Sequence, residues 1–119
     1  VNGDGFSDVI VGAIGYLSTR GRAYIYFGGA SMNNTADLTM TGETVNSSFG
    51  VSVSSAGDMN GDGYSEMIIG APGYSSGTGR VYLYDYFMKN EITPDLTYTT
   101  LAGEYSYLGR SVSSAGDVN

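Results

Sequence analysis

The amino-acid sequence predicts an all-β fold. Among 119 residues there are 19 glycines, which suit tight turns, and 11 tyrosines, which favour strands. Short β-prone runs are separated by clusters of Gly, Ser, Asn and Pro, as at Ser75–Gly79. No segment shows a convincing helical period. With 41% hydrophobic residues the chain has enough apolar surface for one ordinary domain.

The chain is an internal repeat. Its unit is about 59 residues long, so the chain holds two units. Three segments recur: Gly12–Tyr16 as Gly70–Tyr74, Gly21–Tyr26 as Gly79–Tyr84, and Ser52–Asp58, unchanged, as Ser111–Asp117.

Four short strands are predicted in each unit. The third strand carries an alternating Tyr-x-Tyr pattern, and turn clusters separate all four. Four strands per repeat are typical of a β-propeller blade, here with antiparallel neighbours. In strand order, the two copies are Gly50–Ala56 and Gly109–Ala115, Asp8–Ala13 and Glu66–Ala71, Arg22–Phe27 and Arg80–Tyr86, and Asp37–Thr41 and Asp95–Thr99.

The two blade equivalents are in permuted phase. Residues 1–48 supply strands two to four of one blade, residues 49–107 a complete blade, and residues 108–119 a first strand only. Because an unpaired strand edge is a template for association, we expect strand 109–115 to complete a blade. That blade belongs to the same chain, to another copy or to an adjacent repeat. Rings of such chains would have an even number of blades, and open filaments are the alternative.

Composition excludes several functions. The net charge is −7, from 12 acidic and 5 basic residues, which argues against nucleic-acid binding. The chain has no Cys and no His, so it lacks a thiolate nucleophile, a disulfide and the commonest general base. No Ser-His-Asp set is present, and we expect no enzyme activity. No apolar run is long enough to span a membrane, and without an initiator Met we expect a processed, excised or designed piece.

A calcium site is predicted in the segment Asp58–Glu66. It fits the pattern D-x-[DN]-x-D-G-x-x-[DE], which brings four side-chain oxygens and one backbone carbonyl to a common centre. Calcium accepts six to eight oxygens in flexible geometry, whereas magnesium demands a stricter octahedron. An EF-hand is excluded because its twelfth position would be Ile69 and the flanking residues are β-like. The expected ligands are Asp58, Asn60, Asp62, Glu66 and the Tyr64 carbonyl.

A second acidic loop is divided between the two ends of the sequence. Residues 2–8 match positions three to nine of the pattern, and residues 117–119 match positions one to three. A good turn sequence alone could explain one copy, but two copies with the same carboxylate spacing favour a cation site. The expected ligands are Asn2 or Asn119, Asp4, Asp8, Asp117 and the Phe6 carbonyl.

The ordered motifs resemble the FG-GAP repeat. Phe49-Gly50, the Asp-rich loop and Gly70-Ala71-Pro72 carry the resemblance, while Leu108-Gly109 and Gly12-Ala13-Ile14 depart from it mildly. The repeat is similar to blades of the integrin α-subunit propeller and of bacterial surface proteins. The resemblance implies a propeller, usually seven-bladed, with calcium between the first and second strands. It also implies an extracellular or cell-surface structural or adhesion module.

Alternative functions remain open. The Tyr-x-Tyr pairs could stack on sugars, although packing between blades is the favoured interpretation. A carbohydrate- or protein-binding propeller and an accessory domain of an extracellular enzyme are therefore both retained. Arg22 and Arg80, at the starts of the third strands, are interpreted as structural partners of carbonyls or acids.

Overall fold

The computed structural model describes residues 1–85, 94, 96–99 and 105–117. Tyr86, Asp95 and the candidate ligand Asn119 lie outside the described residues. The elements are β1 (Val9–Ala13), α1 (Tyr16–Thr19), β2 (Arg22–Tyr26), β3 (Leu38–Thr41), β4 (Ser52–Gly57), β5 (Glu66–Ala71), α2 (Tyr74–Gly77), β6 (Arg80–Tyr84) and β7 (Leu96–Thr99).

The strands form two antiparallel sheets that reproduce the repeat. The first sheet has the order β1-β2-β3 and the second has the order β4-β5-β6-β7. Equivalent strands pair in equivalent register, since Val9 lies opposite Tyr26 and Met67 lies opposite Tyr84. The all-β, four-stranded blade prediction is confirmed for the second sheet, with strand ends within two residues of those expected.

Two single helical turns interrupt the predicted β pattern. Both α1 and α2 are four residues long and follow equivalent strands of the repeat, β1 and β5. Each contains three residues with positive φ, Leu17, Ser18 and Thr19 in α1 and Ser75, Ser76 and Gly77 in α2. They are therefore tight connections rather than packed helices. None of the helices in the described part of the chain is long and apolar enough to cross a membrane.

The prediction of a strand at Gly109–Ala115 is wrong for this structure. These residues join no ladder, and the neighbouring Leu108 makes only an isolated parallel bridge to Gly79. The equivalent strand β4 exists because β5 follows it through a short loop and pairs with it. Residues 109–115 have no such partner among the described residues, and they do not pair with β1.

The hydrophobic core lies between the two sheets. Phe49, which is 0% exposed, precedes β4, and its ring meets the edge of Tyr82 at a centroid distance of 5.1 Å. Tyr84 is also buried and lies 6.5 Å from the Phe49 ring. This tyrosine pair is therefore packed in the hydrophobic core. The buried cluster further includes Ala23, Ile25, Met40, Met67, Ile69 and Ala71.

The two recurring arginines have structural partners, as expected. The Arg22 guanidinium lies 3.5 Å above the Tyr16 ring, and its Nε donates to the hydroxyl of Thr41 at 3.0 Å. Arg80 lies 3.8 Å above the Tyr74 ring and pairs with an acid in the connection between the sheets, the Glu43 carboxylate. Both arginines therefore connect the starts of β2 and β6 to neighbouring segments.

Candidate metal centre

The loop between β4 and β5 is wrapped around the carboxylate of Asp58. Its Oδ1 accepts hydrogen bonds from the backbone N–H groups of Gly61, at 2.7 Å, and Asp62, at 3.1 Å. Its Oδ2 accepts from the N–H of Gly63 at 2.9 Å. Three amides therefore converge on one side chain, which shapes the loop.

Two further side chains continue this pattern. Asn60 Oδ1 accepts from the N–H of Asp62, and Asp62 Oδ1 accepts from the N–H of Tyr64, both at 2.9 Å. The Asn60 amide nitrogen donates to Asp62 Oδ2 at 3.1 Å and to Asp85 Oδ2 at 3.0 Å. The oxygen-bearing residues are thus tied to one another within a short loop.

Three carboxylates converge in this loop. One oxygen each from Asp58, Asp62 and Glu66 lie within 4.8 Å of one another. Glu66 is only 3% exposed. Burial raises the pKa of Glu66; the hydrogen bond from the Met59 N–H opposes this, and the charges of Asp85, Asp62 and Asp58 add to it. Such a cluster is unfavourable unless a cation balances it.

The fit of a cation can be judged from the two oxygens of Glu66. Oε2 accepts the hydrogen bond of the Met59 N–H. Oε1 is buried and has no hydrogen-bond partner among the described residues. A buried carboxylate oxygen without a partner is costly, and a bound cation would satisfy it. The residues present therefore fit a calcium ion.

The first acidic loop repeats the local hydrogen bonds of the second. Asn2 Oδ1 accepts from the N–H of Asp4 at 3.2 Å, and Asp4 Oδ1 accepts from the N–H of Phe6 at 2.9 Å. The Asn2 amide nitrogen also donates to Asp4 Oδ2, at 3.0 Å. The equivalent bonds in the second loop join Asn60, Asp62 and Tyr64 in the same order.

Asp8 differs from its counterpart Glu66 because both of its oxygens have donors. Its side chain is 3% exposed; Oδ1 accepts from the Gly28 N–H and Oδ2 lies 2.9 Å from the Val1 ammonium. Burial alone would raise the pKa of Asp8. The Val1 ammonium and the N–H groups of Gly28 and Asn2 outweigh that effect, so the pKa is lowered.

The divided site is not assembled in this chain. Across residues 1–85, 94, 96–99 and 105–117, the convergent acidic group is Asp58, Asp62 and Glu66, and the carboxylates of Asp4, Asp8 and Asp117 form no such group. Closure of the divided loop between chains or successive repeats stays a prediction.

The two acidic loops touch each other. A Cβ placed on Gly3 would lie 2.2 Å from Cε1 of Tyr64, so the tyrosine ring packs directly against the glycine backbone. The ring belongs to the loop residue whose carbonyl is an expected ligand. Sequence reasoning did not predict this contact, and it also missed Asp85. The signal for Asp85 is the strand register, which places it opposite Glu66, one step beyond the pair Met67 and Tyr84.

Comparison with known proteins shows which family the chain is similar to. Residues 49–84 match the model of the FG-GAP repeat family. Mouse integrin alpha-3 is 37% identical over 90 residues, covering 71% of this chain, and human integrin alpha-6 is 32% identical over 124 residues, covering all of it. The chain spans only 8% and 10% of the length of these two relatives. Together with the two sheets and the repeated loops, the comparison identifies the chain as an FG-GAP, integrin-like segment of β-propeller blades.

Proposed function

We propose that the chain is a calcium-binding structural and adhesion module. The observation that carries this proposal is the buried Oε1 of Glu66, which lies beside the carboxylates of Asp58 and Asp62 and has no hydrogen-bond partner within the described ranges. When bound, calcium supplies the positive charge that lets the three carboxylates lie together. Asp58, Asn60, Asp62, Glu66 and the Tyr64 carbonyl would hold it, with calcium preferred to magnesium.

The effect of the ion would be to stabilise the loop between the first and second strands. A ligand that binds only the folded state stabilises it by about 2.7 kcal/mol when its concentration is 100 times its Kd. Sites of this kind with weak affinity suit the millimolar calcium found outside cells. This agrees with an extracellular or cell-surface location, which we propose from the similarity to integrin α chains. We expect no enzyme activity.

Thermal unfolding in calcium and in a chelator tests the proposal. Calcium should raise the melting temperature of the parent chain by about 10 °C at that excess. Glu66→Gln is the informative variant, because it preserves size and the acceptor for the Met59 N–H but removes the charge. It should lose most of the calcium-dependent gain. Equal melting of the parent chain in both conditions would refute calcium binding.

Blade completion is the proposed mode of association. Among the described residues the first sheet has no counterpart of β4, and Val9 and Val11 of its edge strand β1 are exposed. Residues 111–117 repeat the sequence of residues 52–58, most of which lie in β4. We therefore propose that this segment of another copy, or its equivalent in an adjacent repeat, pairs with β1. It would bring Asp117 to the loop of Asp4 and Asp8.

The β4–β5 register makes this association testable by cross-linking. Val53 lies opposite Ile69, so the repeat places Val112 opposite Val11. The pair Val11→Cys and Val112→Cys should form an intermolecular disulfide, accompanied by a dimer or larger species in solution. Ile10→Cys with Val112→Cys is the control, because its cysteines would point to opposite faces of the sheet. A monomer with no cross-link would contradict association between copies.

A ligand-binding role is the second candidate function. A cleft of about 440 Å³ lies between the connection after β3 and the turn α2, within the size range of ligand sites. Its residues 73–76 follow the end of β5, whereas the calcium loop leads into the start of β5, so the two sites lie at opposite ends of this strand. A glycan and protein-ligand screen with Tyr74→Ala as control would test it. The cleft is lined by Thr44, Val45, Asn46, Gly73, Tyr74, Ser75 and Ser76.

A further inference from the structure

We propose that Asp85 is a fourth carboxylate of the calcium centre, and that it raises the calcium affinity of the second blade above that of the loop motif alone. The inference rests on the proposed function of the Asp58–Glu66 loop. Asp85 stands outside that loop, directly after β6. Its role would be to add negative charge and to hold the Asn60 amide in place.

The position of Asp85 follows from the pairing of β5 with β6. Met67 lies opposite Tyr84, so the next residues outward are Glu66 and Asp85. Like charges on directly opposite residues of neighbouring strands are destabilising. Glu66 is almost fully buried, and its Oε1 has no hydrogen-bond partner in the part of the chain that the structure describes. Two acids at the same strand end are therefore compatible with a stable blade when a cation lies between them.

The Asn60 side chain connects Asp85 to the loop. Its amide nitrogen donates both to Asp85 Oδ2, at 3.0 Å, and to Asp62 Oδ2, at 3.1 Å. With the nitrogen directed at two carboxylates, the orientation of the amide is determined, and its oxygen accepts the Asp62 N–H. Asp85 therefore contacts Asn60, which is an expected ligand. It shares the Asn60 amide nitrogen with Asp62, which is another expected ligand.

The first blade provides an internal comparison. Its residue equivalent to Asp85 is Phe27, which is partly buried against the core. Asp8, the counterpart of Glu66, instead accepts hydrogen bonds from the N–H groups of Gly28 and Asn2. The extra carboxylate is thus specific to the second blade. In calcium loops the affinity is tuned by the number of charged ligands, so Asp85 should raise the calcium affinity of the second blade.

Calcium titration by calorimetry, with melting curves in calcium and in chelator, tests the proposal on the whole chain. Asp85→Asn keeps the shape and still accepts the Asn60 hydrogen bond, but removes the charge. It should weaken calcium binding about tenfold. It should also raise the melting temperature in chelator, because the repulsion with Glu66 is gone. Asp85→Glu should retain an affinity within about threefold of the parent, since the charge is preserved.

Glu43→Gln is the matched control, because it also removes one negative charge but acts on the Arg80 pair. It should leave calcium affinity unchanged. If the parent chain binds calcium and Asp85→Asn binds it equally well, the role of Asp85 is overturned while the proposed function stands. If Glu43→Gln weakens binding as much as Asp85→Asn, general charge rather than position is responsible, and the inference fails. If the parent chain binds no calcium, both proposals fail.

Discussion

The α-carbon of Gly70 faces the carbonyl oxygen of Gly109 so closely that a Cβ on Gly70 would lie 1.8 Å from that oxygen. The same relationship joins Gly12 to Gly50, also at 1.8 Å. In each case a glycine of β1 or β5 meets the glycine at the second position of the next repeat unit, which begins at residue 49 or 108. Within the second blade, the Gly50 N–H donates to the Gly70 carbonyl at 3.0 Å, so the glycine that meets Gly12 is held by its own sheet. Backbone contact without side chains therefore sets the distance between successive blades.

Gly70→Ala should destabilise the chain by about 3 kcal/mol. The added methyl group would meet the backbone carbonyl of Gly109, which cannot rotate away as a flexible side chain can. Urea unfolding measures the change. Gly15→Ala is the control, since Gly15 has a helical φ of −77° and a methyl group added there would have no neighbouring atom within 4 Å. It should be neutral or stabilising by up to about 1 kcal/mol. Equal stability of Gly70→Ala and Gly15→Ala would contradict the close approach.

Most of the fold could be predicted because its information is local and repeated. Runs such as Glu66–Ala71 have turn clusters at both ends, and their recurrence in the chain identifies the strand order. The segment 109–115 shows where this reasoning fails. Its sequence repeats that of β4, but a strand also needs a partner to pair with, and pairing is not a property of the segment itself. The repeat therefore predicts where a strand can form, not that one does.

The calcium loop could be predicted for a similar reason, since Asp58, Asn60 and Asp62 lie close together in the sequence. Contacts that depend on strand pairing could not. Asp85 reaches Asn60 from the end of β6, and Gly28 reaches Asp8 from beyond β2. The difference between Asp8 and Glu66 is likewise invisible in the motif, although one has donors for both oxygens and the other does not.

Asp58→Ala should destabilise the chain even in chelator. Asp58 accepts three backbone hydrogen bonds within its loop, from Gly61, Asp62 and Gly63. Because the loop is exposed, water replaces part of the loss, and the expected cost is about 1–2 kcal/mol. Urea unfolding in chelator measures it. Asp58→Asn should cost less, because its Oδ1 can still accept; a larger cost for Asn than for Ala would contradict this explanation.

Arg80→Lys should cost about 1 kcal/mol in stability. The guanidinium lies over the Tyr74 ring while its Nη1 donates to Glu43 Oε1 at 2.8 Å. Lysine keeps the charge but not the planar stacking. Glu43 is partly exposed, so the ion pair itself should contribute less than about 1 kcal/mol. A double-mutant cycle of Arg80→Lys and Tyr74→Leu measures the stacking; a coupling energy near zero would contradict the stacking contribution.

Alkaline unfolding should report the buried tyrosines. Burial raises the pKa of Tyr82, which is 1% exposed, and of Tyr84 above the ordinary value of 10.0, and the Glu43 charge adds to both.

Below that ordinary value both folded and unfolded chains keep these phenol protons, and above it the unfolded chain loses protons that the folded chain retains. The free energy of unfolding should therefore fall as the pH rises above about 10. Urea unfolding across this range, followed by tyrosinate absorbance, measures the slope. Tyr82→Phe should make the fall less steep, whereas Tyr105→Phe, at a residue that is 75% exposed, should leave it unchanged. An equal slope in Tyr82→Phe and the parent chain would show that Tyr82 does not control alkaline stability.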